Sequence, residues 1–229
     1  MDKKALEQIP VHETFKIAGL LAVVGGFLDA YTYILRGQVF ANAQTGNMVL
    51  VAVGMARFDW KHALMALVPI VAFVMGVFVT EIIKKHCQDR EFAMWEHLVI
   101  IIELVCLFIV GLIPQSVPDA CANVLVSFIC SVQVCSFRKV RGLGYASTMC
   151  TGNLRSGTEN LFRAILGQDV DGKKKAAHYF GIILCFILGA FLGGVLSASI
   201  GVKWGWFCCI PLAGVFIAMT YTTAAKNRK

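Results

Sequence analysis

The sequence predicts an all-α polytopic membrane protein: six transmembrane helices plus two re-entrant half-helices, arranged as an inverted internal repeat. Three observations carry this expectation. Of the 229 residues, 58% are hydrophobic and only 15% are charged, far from the make-up of an average soluble domain. Several uncharged runs reach the roughly 20 residues needed to cross a hydrocarbon core. The tripeptide Thr-Gly-Asn occurs twice, at Thr45-Gly46-Asn47 and Thr151-Gly152-Asn153, each time breaking an apolar stretch at the corresponding point of one half.

Full spans are expected at 17–35, 63–83, 97–113, 119–137, 177–200 and 204–222. Two shorter stretches, 37–57 and 142–167, each carry one Thr-Gly-Asn and are the ambiguous elements. Basic residues decide between crossing and re-entry. With the N-terminus inside and both stretches re-entrant, only Arg36, Arg57, Lys61 and Lys203 lie outside, which leaves 17 of the 21 Lys and Arg inside. That is the asymmetry of the positive-inside rule. If both stretches crossed, Lys84, Lys85, Arg90, Arg138, Lys139 and Arg141 would move outside. Met1 to Lys16 is polar and the first apolar run is long enough to span, so no cleavable signal is expected.

The same choice sets the symmetry. Residues 1–16 form a cytoplasmic N-terminus, 17–113 a first repeat, 119–222 a second repeat and 223–229 a cytoplasmic tail. Three spans plus one re-entrant segment per half start the second half on the opposite side from the first, which inverts it. Phe73-Val-Met-Gly76 in the first half echoes Phe186-Ile-Leu-Gly189 in the second. Pro114 to Pro118 is a short uncharged link between them.

After each tripeptide comes a helix-like run, Met48 to Ala56 and Leu154 to Leu166. Thr suits an N-cap, Gly permits a sharp turn, and Asn can bond the incoming chain or a ligand. A run of about 12 residues rises about 18 Å, roughly half a bilayer. Each motif is then expected near the midplane, its helix N-terminus facing its counterpart. Two such termini offer free N–H donors and partial positive charge to an anion or an acceptor-rich neutral solute. The bland alternative is a pair of structural caps closing buried loops.

Asp29 sits well inside the first span, where an ionisable group is costly and marks a functional hypothesis by default. It is expected to meet donors of the first re-entrant loop, from Gln44 and Thr45 onward. Three roles are open: a proton carrier, a counter-charge to a cationic substrate, or a cap on the opposing half-helix. The equivalent position in the second half is Cys135, so the carboxylate is not duplicated.

Weaker signals follow. Gln133, with Ser131, either lines the cavity opposite Gly25-Gly26 or makes an interhelical hydrogen bond. Glu103 is expected near the cytoplasmic end of its span, within reach of water. Glu81 is expected to pair with Lys84 or Lys85. Arg155, Glu159 and Arg163 form a stripe that is either a solvated face or the lining of an inner vestibule. Gly189, Gly193 and Gly194 allow close packing within the chain or at a homodimer face. Tyr31, Tyr33, Trp60, Trp95, Trp204 and Trp206 read as interfacial anchors. The cysteines, none at zinc-finger spacing, read as small buried hydrophobes. No metal, cofactor or nucleic-acid partner is expected.

From Gly25-Gly26-Phe27-Leu28-Asp29-Ala30-Tyr31 through Gly37 to Gln44-Thr45-Gly46-Asn47, the chain resembles the YoaK family of bacterial multi-pass membrane proteins, a domain of unknown function. The resemblance extends over nearly the whole chain, including the second tripeptide. Where the family often carries a Gln-Asn-Ala-like stretch, this chain has Gln133-Val134-Cys135. The resemblance implies a bacterial cytoplasmic membrane location and supplies no substrate.

The site residues therefore point to a transporter of a small polar or anionic solute, with alternating access around two half-helix N-termini. Substrate contacts are expected from Asp29, Gln44, Thr45, Gly46, Asn47, Gln133, Thr151, Gly152 and Asn153, with proton coupling through Asp29. The alternative is a passive channel using the same half-helices as a constriction. An enzyme is not expected, since no histidine occupies an apolar centre.

Overall fold

The computed structural model describes residues 9–87 and 93–226. Lys3, Lys4, Arg90, Arg228 and Lys229, part of the basic asymmetry noted above, lie outside the described residues. Among the described residues eight α-helices follow one another: α1 Phe15–Leu35, α2 Gln44–Ala56, α3 Trp60–Cys87, α4 Ala93–Leu112, α5 Asp119–Ser136, α6 Cys150–Ile165, α7 Gly172–Ile200 and α8 Cys209–Lys226. A 3-10 turn, Val11–Glu13, precedes α1, and an eight-residue 3-10 stretch, Gly201–Cys208, leads into α8. Six helical segments are long and apolar enough to span a membrane, at the positions the hydropathy pattern predicts. The two left over, α2 and α6, are the segments whose first turns carry the repeated tripeptide.

The packing partners come in matched pairs. α1 packs chiefly against α7, and α5 chiefly against α3. α2 lies on α3, and α6 on α7. α4 touches α5, α8 touches α1, and α4 and α8 touch each other. The first helix of each half therefore packs on the third helix of the other half. α1 and α5 are the most enclosed of the six spans. Glycine makes these crossings close. A methyl at Gly189 would fall on the Val23 carbonyl of α1, and one at Gly76 would fall on the Phe128 carbonyl and Ser131 hydroxyl of α5. Both are the glycine of the Phe-x-x-Gly echo. The glycine stripe of α7 is thus used within the chain at Gly189 and Gly193, while Gly194 faces open space.

Two ends of the bundle are fixed by hydrogen bonds. At one end, the Arg141 and Gly142 amides donate to the Glu13 carbonyl and carboxylate. There too His12 lies 3.8 Å from Glu96, and Lys84 donates to the Cys135 carbonyl as well as to Glu81. Arg141 belongs to a tight hairpin, Lys139–Val140 (β1) paired with Leu143–Gly144 (β2), whose turn residues Arg141 and Gly142 both take positive φ. That turn chemistry is what joins two strands with the right twist, and the hydropathy reading did not anticipate it. At the opposite end, Arg36 is fully buried and donates to the Ile113 carbonyl at 2.6 Å and to the Tyr31 hydroxyl at 3.2 Å, with Asp119 at 3.8 Å. Asn123 returns a hydrogen bond to the Arg36 carbonyl.

Several expectations change. Arg36 is not a loop charge in water but a latch joining the two halves. Tyr31 is fully buried, its hydroxyl donating to Val202, and Trp95 is nearly so; neither is an exposed anchor. Glu103 lies midway along α4, because that helix begins at Ala93, and is 1% exposed. Of the nine free cysteines only Cys130 and Cys208 are fully buried, since several others sit on helix faces turned partly outward.

If the close crossings carry stability, Gly189→Ala should destabilise the protein by about 1–3 kcal/mol, the usual cost of overpacking a tight core. Gly194→Ala, which has room, should be close to neutral. Thermal unfolding in detergent reads both, and equal losses would contradict the crossing geometry.

Candidate functional site

The chain between α1 and α2 does not leave the bundle. Its middle meets α1 and α5 at their midpoints. Asn42 donates through its side chain to the carbonyl of Gly25, the central residue of α1, at 2.8 Å. The Ala41 carbonyl accepts from Ser127, halfway along α5, at 2.7 Å. The Ala41 amide donates to Thr32 and the Asn42 amide to Asp29 Oδ1 at 3.1 Å. These side chains satisfy backbone groups that would be costly to strand in a nonaqueous interior.

The chain between β2 and α6 reaches the same place. Ser147 and Thr148 press against Gly25 so closely that a methyl there would clash with Thr148. Gln133 of α5 donates to Ser147 Oγ at 2.6 Å and to the Leu21 carbonyl of α1 at 3.3 Å. Its role is therefore an interhelical and loop tie; it does not line the cavity.

Both tripeptides sit in one register. α2 begins at Gln44 and α6 at Cys150, each one residue before its Thr, so Thr, Gly and Asn occupy the first turn. The expectation that the helices start after the motif, with Thr as cap, is corrected. The cap residues are Ala43 and Met149, with similar backbone angles and no side-chain capping bond. Neither Gly46 nor Gly152 takes positive φ, and a methyl at Gly152 would meet nothing within 4 Å. Glycine there does not make the turn; it leaves the first-turn backbone bare.

The asparagines explain the shared register. Asn47 Nδ2 donates to the Phe40 carbonyl at 2.7 Å, and Asn153 Nδ2 to the Ala146 carbonyl at 2.7 Å. In both cases the partner lies seven residues back. Asn153 also accepts from the Ala146 amide, whereas Asn47 also donates to Gln44 Oε1 at 3.1 Å. Each Asn folds the incoming chain onto its helix start, the first of the two uses the sequence left open.

A cavity of about 610 Å³ lies where these pieces meet. Of the predicted site residues, Asp29, Gln44, Thr45, Thr151 and Gly152 line it, while Gly46, Asn47, Gln133 and Asn153 do not. The lining is paired across the halves: Asn42 with Thr148, Ala43 with Met149, Gln44 with Cys150, Thr45 with Thr151. Phe73 and Phe186, the aromatic residues of the Phe-x-x-Gly echo, also face it. The echo was legible in sequence, its place in the wall was not. Asp29 is the one charged group of the lining, and among the described residues it has no ion-pair partner. The first-turn N–H groups of α2 and α6 have few intrahelical acceptors. In α2 the Gln44 and Gly46 amides bond back to Asn42 and Ala43 at 3.1 and 2.9 Å.

The family model described as "Protein of unknown function (DUF1275)" matches residues 17–218, and the chain belongs to that family. It is 24% identical over 148 residues to the UPF0700 transmembrane protein YoaK of Bacillus subtilis (strain 168). That match covers 63% of this chain and 66% of the relative, so the chain spans just under two thirds of the relative's length. No solved structure matches. Helices, hydropathy and relative agree on a multi-pass membrane protein in contact with a lipid bilayer.

Asn153→Ala should remove both loop bonds and cost about 1–3 kcal/mol, the penalty for stranding buried polar groups. Unfolding in detergent measures it, and a neutral result would show that the loop is held by other means.

Proposed function

As a member of this membrane family the chain is, we propose, a transporter of a small polar or anionic solute that works by alternating access and does no covalent chemistry. The observation that carries the reading is the single cavity shared by the first turns of α2 and α6 and by Asp29.

The proposal takes α2 and α6 as re-entrant half-helices. Their 13 and 16 residues rise only about 20 and 24 Å, short of a core about 30 Å thick. α2 runs from the mid-depth cavity to the turn before α3, on the side of Arg36 and Asp119. α6 runs from the same cavity toward the α7 start, where Arg141 meets His178 at 3.2 Å. The paired packing of α1 on α7 and α5 on α3 supports an inverted repeat. Irregular backbone midway along spanning helices is the usual place for a transporter's site. The end that holds Lys84, Arg138, Lys139, Arg141 and Lys173 to Lys175 is taken as cytoplasmic, together with the N-terminus. In a bacterium that membrane is the inner membrane. No homodimer is required by this reading.

Two helix N-termini favour negative charge, and Asp29 opposes it. An anion beside the carboxylate is repelled until Asp29 takes a proton, so anion and proton would bind together and leave together. Linkage makes that coupling reciprocal. The alternative channel reading needs no such coupling, and the experiment separates them.

Purified wild type and Asp29→Asn, screened by thermal shift against metabolite anions at several pH values, should give a stabilising anion. At 100-fold excess over its Kd the gain is about 2.7 kcal/mol. In wild type the apparent affinity should rise as pH falls, and in Asp29→Asn it should lose that dependence. An unchanged pH dependence in the variant would remove Asp29 from coupling. Single cysteines at Arg57 and Arg163 should take a membrane-impermeant label from opposite sides; labelling from one side would end the inverted arrangement.

A further inference from the structure

Two more carboxylates are enclosed in the bundle and take no part in the cavity. Glu103, at the middle of α4, is 1% exposed, and its Oε1 has no hydrogen-bond partner. Glu96, seven residues earlier on the same face of α4, is fully buried with neither oxygen hydrogen-bonded. Their spacing is two turns, about 10.5 Å along the axis. No lysine or arginine pairs with either among the described residues. Burying such a group unbonded is costly, and native structures keep few of them without a reason. Their oxygens have almost no accessible surface, so neither can receive a solute.

Polar groups stand on both sides of this pair. Asn42 and Thr148 line the central cavity, and each has a side-chain oxygen without a partner. Tyr145, three residues before Thr148 in the same loop, is buried with an unbonded hydroxyl, and it stands within electrostatic reach of Glu103. Cys130 of α5 stands within electrostatic reach of both Asp29 and Glu103, and Cys208 and Cys106 within reach of Glu103. At the far end, Glu96 borders a second cavity of about 530 Å³ lined by His12, Glu13, Lys84, Arg138 and Lys139, at the basic end of the bundle. His12 is 3.8 Å from Glu96, and burial holds its imidazole below the ordinary range.

We infer that Glu96 and Glu103 form a proton path between the basic-end cavity and Asp29, with Tyr145 and bridging water completing it on the Asp29 side. Each transfer forms an O–H bond on the accepting oxygen as the donor's O–H bond breaks; no electrons change hands. The path deepens the transport reading and rests on it for its purpose, but its existence is measurable without any solute.

Infrared difference spectroscopy on the full-length protein in lipid tests it. At neutral pH, Glu103→Gln should remove one protonated-carboxyl C=O band. In wild type that band should shift rapidly after transfer to D₂O. In Glu96→Gln and in Tyr145→Phe the band should remain with slower exchange, since each closes one of the two ends, and in the double variant fast exchange should be lost. Should Glu103→Gln fail to fold, the exchange rates in the other two variants still decide. No protonated band assignable to Glu103, or exchange as fast in both variants as in wild type, would overturn the path. An anion whose binding is coupled to Asp29 while the Glu103 band stays inert would sink the path alone. Fast, variant-sensitive exchange with no solute bound would leave the path standing and the transport reading unsupported.

Discussion

Backbone amides and carbonyls brought among the midpoints of membrane helices must find partners within the protein, because lipid offers none. Two loops of this chain reach that depth, and the rest of the structure is arranged to satisfy them. Asn42, Ser127, Thr32 and Asp29 bond the first loop. Gln133 and Asn153 bond the second. Gly25 at the centre of α1 is bare so that the second loop can lie against it while its own carbonyl serves the first. The close α1–α7 and α3–α5 crossings then enclose both loops. A cavity forms between them because two helices must start there, and helix starts are short of acceptors.

The two halves supply the same parts but not the same charges. Asparagine clasps the incoming chain seven residues back in each, and the cap residues match in conformation. Asp29 has no counterpart, since Cys135 occupies the corresponding position. α2 carries no charge, whereas α6 carries an exposed Arg155–Glu159 pair at 3.6 Å. The helix contacts are therefore paired between the halves, while the buried carboxylates, Asp29, Glu96 and Glu103, all belong to the first half.

How much the sequence disclosed follows from the range of each interaction. Span positions, set by local hydropathy, were legible. So was the repeat of the tripeptides, because three residues in matching context need no contact information, and Asp29 stood out because a carboxylate inside an apolar run has few bland explanations. The helix starts were misplaced by four residues, because the first turn is stabilised by Asn reaching back to Phe40 and Ala146 rather than by a threonine cap. The Arg36 latch was invisible, since its acceptor at Ile113 lies 77 residues away. Glu103 was set too near an end because α4 starts earlier than its apolar run does. Gln133 was read both ways, and its bonds to Leu21 and Ser147 select the structural one.

The account stands or falls on whether the chain before α2 and the chain before α6 share one space. A photoreactive benzoylphenylalanine in place of Phe40, activated in native membranes and mapped by mass spectrometry, reads this directly. Phe40 lines the cavity with Thr148, Met149, Cys150 and Thr151. The predicted result is an adduct on the peptide containing 148–152. Adducts confined to neighbours in α1 and α2, or to lipid, would mean that the two helix starts do not meet.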